Sequence, residues 1–280
     1  MNALFDFWRH YRRNVGAVIG LALLLGISIA ALFAGVLRPH DPFELVAAPF
    51  LQPGQEGEFP LGTDMLGRDV LTGLVHGARI SILIGVVATL VAVLIGTTIG
   101  ALAGYYGGWI DETLTKLTEV FQTIPPFMLL IVIVAIFLPS AYTIVVAIGV
   151  VSWPEVSRLV RAEFIALRNR EFVEAGIAIG MSDLRVIATQ ILPNAAAPVI
   201  VVSSLIVARA ILNESALGFL GLGDPNIVSW GSMINTGRGA IRTAPYLTEL
   251  PGLAIFFTVL AFNLVGDGLN DALNPRRRIR

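Results

Sequence analysis

The run from Val15 to Leu37 is 23 residues long and holds no charged side chain. About 20 apolar residues in a row are enough to cross a bilayer as a helix. Arg9, Arg12 and Arg13 precede this run, an arrangement shared with secretory signal peptides. A signal's apolar region is only ~7–15 residues, however, and no small-residue cleavage site stands out at the end of this one. The run therefore reads as an uncleaved first membrane helix. Composition extends the same reading to the whole chain: 55% of its 280 residues are hydrophobic and 14% charged, with a mean hydropathy of +0.78. Such a chain is too apolar for an ordinary soluble globule and is an integral membrane protein.

After a first segment at 1–15 and a first membrane helix at 16–37, residues 38–79 change character. Five prolines (Pro39, Pro42, Pro49, Pro53 and Pro60) and the acids Asp41, Glu44, Glu56 and Glu58 predict an external, partly irregular loop. A five-helix core is expected over 80–280. Its first span, Ile80 to Ala103, carries small residues at every fourth position through Ala88, Ala92, Gly96, Gly100 and Gly104, a ridge that another helix can approach closely. A third span is expected near Leu114 to Leu138, kinked or interrupted at Pro125-Pro126. The fourth, about Tyr142 to Trp153, is short. It continues as a helix past Pro154, because Val156, Leu159, Val160, Phe164 and Leu167 keep helical spacing between Arg158, Arg161 and Arg168. Asn194 to Ile211 and Leu250 to Leu264 give the fifth and sixth spans.

Arginine and lysine are unevenly placed. If both termini lie in the cytoplasm, 13 of the 19 fall inside: Arg9, Arg12, Arg13, Lys116, Arg158, Arg161, Arg168, Arg170, Arg185, Arg276, Arg277, Arg278 and Arg280. That bias supports six spans with cytoplasmic ends. It also places the polar stretch Glu171 to Pro193, which interrupts two apolar segments, on the cytoplasmic side. Phe172, Ala175 and Ile179 share a helical face there, Gly180 allows a turn, and Ser182 is positioned to cap a second helix. A coupling segment of about 155–193 is expected to work as a docking surface.

Within that stretch Glu174-Ala175-Gly176, Gly180 and Leu192-Pro193 have the spacing of the EAA motif, and the chain here resembles permease subunits of bacterial ABC importers. Gly176 stands where alanine is usual and Gln190 where isoleucine is frequent. Leu61 to Asp69, Gly77-Ala78-Arg79, Gly218 to Gly223 and Asn263 to Leu269 resemble the "C"-type permeases of the dipeptide, oligopeptide and nickel branch. The resemblance implies an all-α membrane protein with six transmembrane helices and the type I importer fold. It also implies a second homologous permease subunit completing the pathway, two ATPase subunits binding ATP and Mg, and an external solute-binding protein, in a bacterial inner membrane. Peptides are the expected solute, with nickel chelates, glutathione, opines and glycosides as alternatives carried by similar proteins. Glu174, Ala175, Gly176, Gly180, Leu192 and Pro193 would take up force from the ATPases.

No chemistry of its own is expected of the chain. Its one lysine, Lys116, lies in Leu114-Thr115-Lys116-Leu117 and fits no P-loop, and no hydrolase or metalloprotease pattern occurs. It has no cysteine, and its three scattered histidines, His10, His40 and His76, do not suggest a metal site. A net charge of −1 gives no case for nucleic acid; lipid is the expected surroundings. Arg209, Asn213 and Glu214, at the outer end of span five, and Asn263 in span six are candidates for the solute path, in competition with snorkelling to the interface. Asp267, Asn270 and Asp271 are expected to anchor the inner end of span six beside the arginine tail. Residues 217–250 are expected to fold over the outer mouth, with Trp230 interfacial, and Thr63 or Asp64 to start a helix. A self-contained carrier driven by an ion gradient is the rival from another class, but no internal repeat supports it.

Overall fold

A computed structural model describes residues 2–273, in which the regular elements are helices. In hydrocarbon, only structures that satisfy their own backbone groups can span, and a helix does so within one segment. After a short α1 (Asn2–Tyr11), α2 (Val15–Leu32) and the single turn α3 (Ala34–Leu37) cover the first apolar run. Four more helical stretches are long and apolar enough to cross: α4 (Val70–Tyr106), α7 (Ala141–Arg168), the run Asp183–Phe219 and α12 (Tyr246–Leu273). Between α4 and α7 lie α5 (Gly108–Thr123) and α6 (Pro126–Phe137), which together make up the sixth apolar segment.

The interruption expected at Pro125-Pro126 within the third span is present: α5 and α6 meet at 83° and do not form one rod. Ile124 precedes a proline and is held extended at φ −88°, ψ 128°, because the proline ring crowds the helical region of the residue before it. Pro126 then opens α6, where its missing N–H breaks no intrahelical bond. The loop expected to be external is shorter than predicted, since α4 begins at Val70, ten residues before Ile80. Its cap is neither Thr63 nor Asp64 but Asp69, whose carboxylate accepts from the N–H groups of Leu71 and Thr72. Thr63 is instead buried, donating to the Ala48 carbonyl while its hydroxyl accepts from Leu51 N–H. Spans five and six also run on, to Phe219 and Leu273.

The small-residue ridge of α4 packs against α7. A Cβ at Gly96 would stand 2.6 Å from Val156 Cβ, and one at Gly104 the same distance from Phe164 Cβ; at Gly100 it would strike the Ser157 carbonyl. Ala88 and Ala92 are fully buried in the same seam. α7 passes through Pro154 as one helix, with Val156, Val160 and Phe164 buried as their spacing predicts.

Contacts between helix ends sort the chain into two faces. At one, the 38–69 loop meets α12, with the Tyr246 hydroxyl donating to the carbonyls of Leu51 and Thr63, and Asp224 binds the first N–H of α7. At the other, Asn14 donates to Asp271, tying the start of α2 to the end of α12, and Tyr105 at the end of α4 donates to Asp183. The two described termini and residues 169–191 therefore share one end. The expected arginine tail, 276–280, lies outside the described residues.

Candidate functional site

Residues 169–191 form a bracket beyond the ends of α4 and α7. α8 (Glu171–Ala178) is followed by a turn at Gly180, where φ is +84°, a value glycine adopts without the steric penalty of a Cβ. Gly180 N–H donates to the Ile177 carbonyl and Met181 N–H to that of Gly176, closing the helix end. The space around Gly180 is open, so its need is conformational rather than one of close packing. Ser182 occupies the cap position of the one-turn α9 (Asp183–Val186), yet its side chain makes no capping bond. A π turn over Ile187–Ile191 then joins α10 (Leu192–Phe219), which has Pro193 in its first turn. Such turns insert an extra residue into a helix and often mark functional positions.

Val173, Val186 and Ile191 are fully buried and share a core with Tyr105, Val160 and Phe164. Tyr105 Oη reaches Asp183 Oδ1 at 2.8 Å, and Arg161 on α7 forms a two-pronged pair with Asp111 on α5. The bracket is thus clamped to the ends of three long helices. Its outward side carries several apolar side chains among charged ones: Phe172, Ala175, Ile177 and Leu184 are exposed and Ile179 is 81% exposed, beside exposed Glu171, Glu174 and Arg185. Exposed apolar residues concentrated on so small an element suit contact with another protein or with a membrane.

The expected coupling residues do not all share that surface. Glu174, Ala175, Leu192 and Pro193 are exposed, whereas Gly176 is buried and faces inward. A Cβ on Gly176 would lie 2.6 Å from Gln190 Nε2. The two departures from the EAA pattern are therefore in contact: the Gln190 amide fills the space that an alanine methyl would need. Gln190 Nε2 leans on Met181 Sδ at 3.2 Å, while its Oε1 is buried with no hydrogen-bond partner.

The path candidates separate in the same way. Arg209 lies within α10 rather than at a helix end, because the helix runs ten residues further. Its guanidinium donates to Glu155 Oε2, near the middle of α7, and the two side chains are 52% and 41% exposed. A lone charge facing hydrocarbon at mid-helix costs about 2.5–3.5 kcal/mol, and pairing Arg209 with Glu155 offsets part of that cost. Asn213, one turn on from Arg209, is half-exposed; Asn263 donates to the Val259 carbonyl of its own helix. Glu214 is held within the packed helices. It is 1% exposed and accepts from Ser81 Oγ at 3.0 Å, and that oxygen in turn accepts from Trp230 N–H. Glu214 thus ties α4 and α10 to α11 (Trp230–Gly237). Trp230 is likewise not interfacial but 1% exposed, its indole N–H on the Leu74 carbonyl.

Sequence reasoning misses Glu155 and the cavity of about 270 Å³ lined by Thr118, Glu119 and Gln122 of α5 with Ser157, Arg158 and Arg161 of α7. Glu155 follows a proline that resembles a helix end. Only the partner 54 residues away reveals its place.

Comparison with known proteins agrees with this architecture. Residues 96–279 match the family model described as the inner membrane component of binding-protein-dependent transport systems, and residues 3–53 match the N-terminal transmembrane domain of oligopeptide transport permease C. The dipeptide transport system permease protein DppC of Escherichia coli K12 is 42% identical over 99% of this chain and 94% of its own length. That of Haemophilus influenzae is 39% identical over 98% and 95%. The glutathione transport system permease protein GsiD of Escherichia coli O6:K15:H31 is 36% identical over 97% and 90%. In fold, the chain is similar to the inward-facing methionine ABC transporter MetNI, with a TM-score of 0.59 at 17% identity over 72% of this chain and 96% of that one. From the long family match, the near full-length relatives and the helical architecture together, this chain belongs to the inner membrane components of binding-protein-dependent transport systems, in the permease branch that includes the dipeptide and oligopeptide "C" subunits.

Proposed function

We propose that the chain is one of two homologous membrane subunits of an ATP-driven importer of small peptides, and that force enters it through residues 171–191. The observation that carries this reading is the exposed apolar face of Phe172, Ala175, Ile179 and Leu184 on a bracket clamped to α4, α7 and α10. A short helix presenting an apolar face suits docking into a groove on another protein. Because Val173, Val186 and Ile191 share one core with α7 and α4, a push on α8 moves those helices as a body, the mode by which rigid elements exchange inward and outward access. The partners are a second permease subunit, two ATPase subunits that hold the ATP and Mg, and an external binding protein. The bracket and both termini lie in the cytoplasm.

The peptide assignment rests on relatives of 39–42% identity named for dipeptide transport, against 36% for the glutathione permease. The solute passes the face that bears Arg209, Asn213 and Glu155, where charge at mid-helix needs a wet or protein surface. Reconstitution of the permease pair with binding protein, with and without the ATPases, tests this. Dialanine uptake should require both the ATPases and ATP; gradient-driven uptake by the membrane subunits alone would reject it.

A further inference from the structure

The cavity of about 270 Å³ between α5 and α7 has no part in coupling as described above. α5 touches α7 on either side of it, through the Asp111–Arg161 pair and through an edge-on contact of Phe121 with Trp153, 5.3 Å between ring centroids. Ala103 of α4 closes a third side. Two residues further along α4, Tyr105 donates to Asp183 of the bracket, so the cavity lies in the half of the molecule next to the bracket.

Between those contacts the walls are polar, with Thr118, Glu119 and Gln122 on α5 and Ser157, Arg158 and Arg161 on α7. Arg161 is matched by Asp111, and Thr118 donates to the Leu114 carbonyl of its own helix. Glu119 and Arg158 are exposed, and neither makes a hydrogen bond or an ion pair among the described residues. Unpaired charges within a membrane span are costly in hydrocarbon and as a rule face a water-filled space or the interior of a bundle.

Arg158 also continues a line of charge. The small-residue ridge of α4 covers the face of α7 that carries Val156, Val160 and Phe164. That leaves Glu155 and Arg158, three residues apart and therefore neighbours on the helix surface, on the open side of α7. Glu155 holds Arg209 of α10. Charged side chains thus lead from Arg209 and Glu155, near the middle of their helices, through Arg158 to Glu119 and toward the end that bears the bracket.

We propose that this cavity is the inner segment of the solute route, a water-filled passage between the Arg209–Glu155 pair and the cytoplasmic end, in which Arg158 and Glu119 meet the solute. Its volume is close to the lower bound of small-molecule sites, roughly 300 Å³, and gives room for one small solute. The unpaired groups keep the passage wet, and because neither is tied into the packing, removing one slows passage without loosening the helices. This assignment rests on the transport route proposed above.

The chain has no cysteine, so single thiols introduced into it report from known positions. In the assembled transporter in lipid nanodiscs, a charged water-soluble maleimide should label Gln122→Cys at least tenfold faster than Leu94→Cys, which is 68% exposed on the apolar side of α4. Mass spectrometry reads the label on this chain. In proteoliposomes containing the whole complex, Arg158→Gln should cut dialanine uptake at least tenfold with the unfolding temperature unchanged, and Arg158→Lys should retain most of the uptake. A thiol at position 122 labelled no faster than one at position 94 overturns the passage, because the space is then closed or filled by lipid. Unaltered uptake by Arg158→Gln also overturns it, as does uptake lost together with a lowered unfolding temperature, which makes Arg158 a structural residue. Labelling needs no solute, so it decides the passage even where the unmodified complex fails to import dialanine, a failure that rejects the peptide reading alone.

Discussion

Exchanging Gly176 and Gln190 for the residues usual in the EAA motif should produce strong non-additivity. Gly176→Ala favours α8 by about 0.5–1 kcal/mol through backbone entropy. Its Cβ, however, would lie 2.6 Å from Gln190 Nε2 and 2.9 Å from Oε1. Expelling that amide, or compressing it, costs about 1–3 kcal/mol, the range for overpacked cores. The single variant should lose about 1 kcal/mol. Gln190→Ile removes a buried carbonyl oxygen that has no partner, a gain of about 1–3 kcal/mol. It also gives up the Met181 contact and leaves a gap above Gly176, so the net change should be near zero. In the double variant the alanine methyl occupies that gap, the propensity gain is realised, and stability should rise by about 1 kcal/mol over the parent chain. The resulting coupling, about 1–2 kcal/mol, falls in the range measured for residues in contact. Thermal unfolding of the four purified proteins in one detergent measures it, with peptide-stimulated ATP hydrolysis by the assembled complex as a second readout. If the single changes add to the double within about 0.5 kcal/mol, the two positions do not share space and the description of the bracket is wrong.

Gly100→Ala should lower the unfolding temperature by several degrees, about 1–3 kcal/mol, because its methyl meets the Ser157 carbonyl; Gly26→Ala, in open space on α2, should not lower it, and equal effects would refute the packed α4–α7 seam. Arg209→Gln should reduce dialanine uptake at least tenfold with ATPase assembly unchanged, whereas unaltered uptake kinetics would show that Arg209 merely reaches toward the interface. Burial pushes the Asp224 carboxyl upward, but N–H groups of Asn226 and Ala141 outweigh it and hold the carboxyl below its usual range. The stabilisation this gives is complete above the usual carboxylate range and is lost as pH falls through the lowered value. Asp224→Asn should therefore narrow the difference in thermal stability between neutral and acidic pH; an unchanged difference would show that the cap on α7 contributes nothing.

Much of this architecture is written in local pattern. The four-residue rhythm from Ala88 to Gly104 announces a close helix contact, and Val156, Val160 and Phe164 carry α7 past Pro154 because spacing of buried residues survives where a single proline suggests a break. The sharp bend at Pro125-Pro126 is foreseeable in kind but not in size, since a proline removes the helical option without fixing the new direction. Long-range partners are not legible. Glu155 and Arg209, Tyr105 and Asp183, and Glu214 and Ser81 are separated by 54, 78 and 133 residues, and no periodicity links them. Glu214 illustrates this: a charge near an apparent helix end suggests a path, and only the fold shows that it is buried and bonded to Ser81 of a distant helix. Gly176 and Gln190 are visible as departures from a motif, and only the fold shows that one accommodates the other.

Engagement of an ATPase by α8 is tested most directly by chemistry at one exposed point. The chain has no cysteine, so a single Ile179→Cys substitution reports from one known position. In the transporting complex, a short bifunctional thiol reagent should link the introduced thiol to the ATPase subunit, with a yield that changes on adding ATP, and bound ATPase should shield it from a water-soluble maleimide. If the thiol at position 179 stays freely labelled and forms no link while the same complex imports dialanine at the full rate, force does not enter through this bracket.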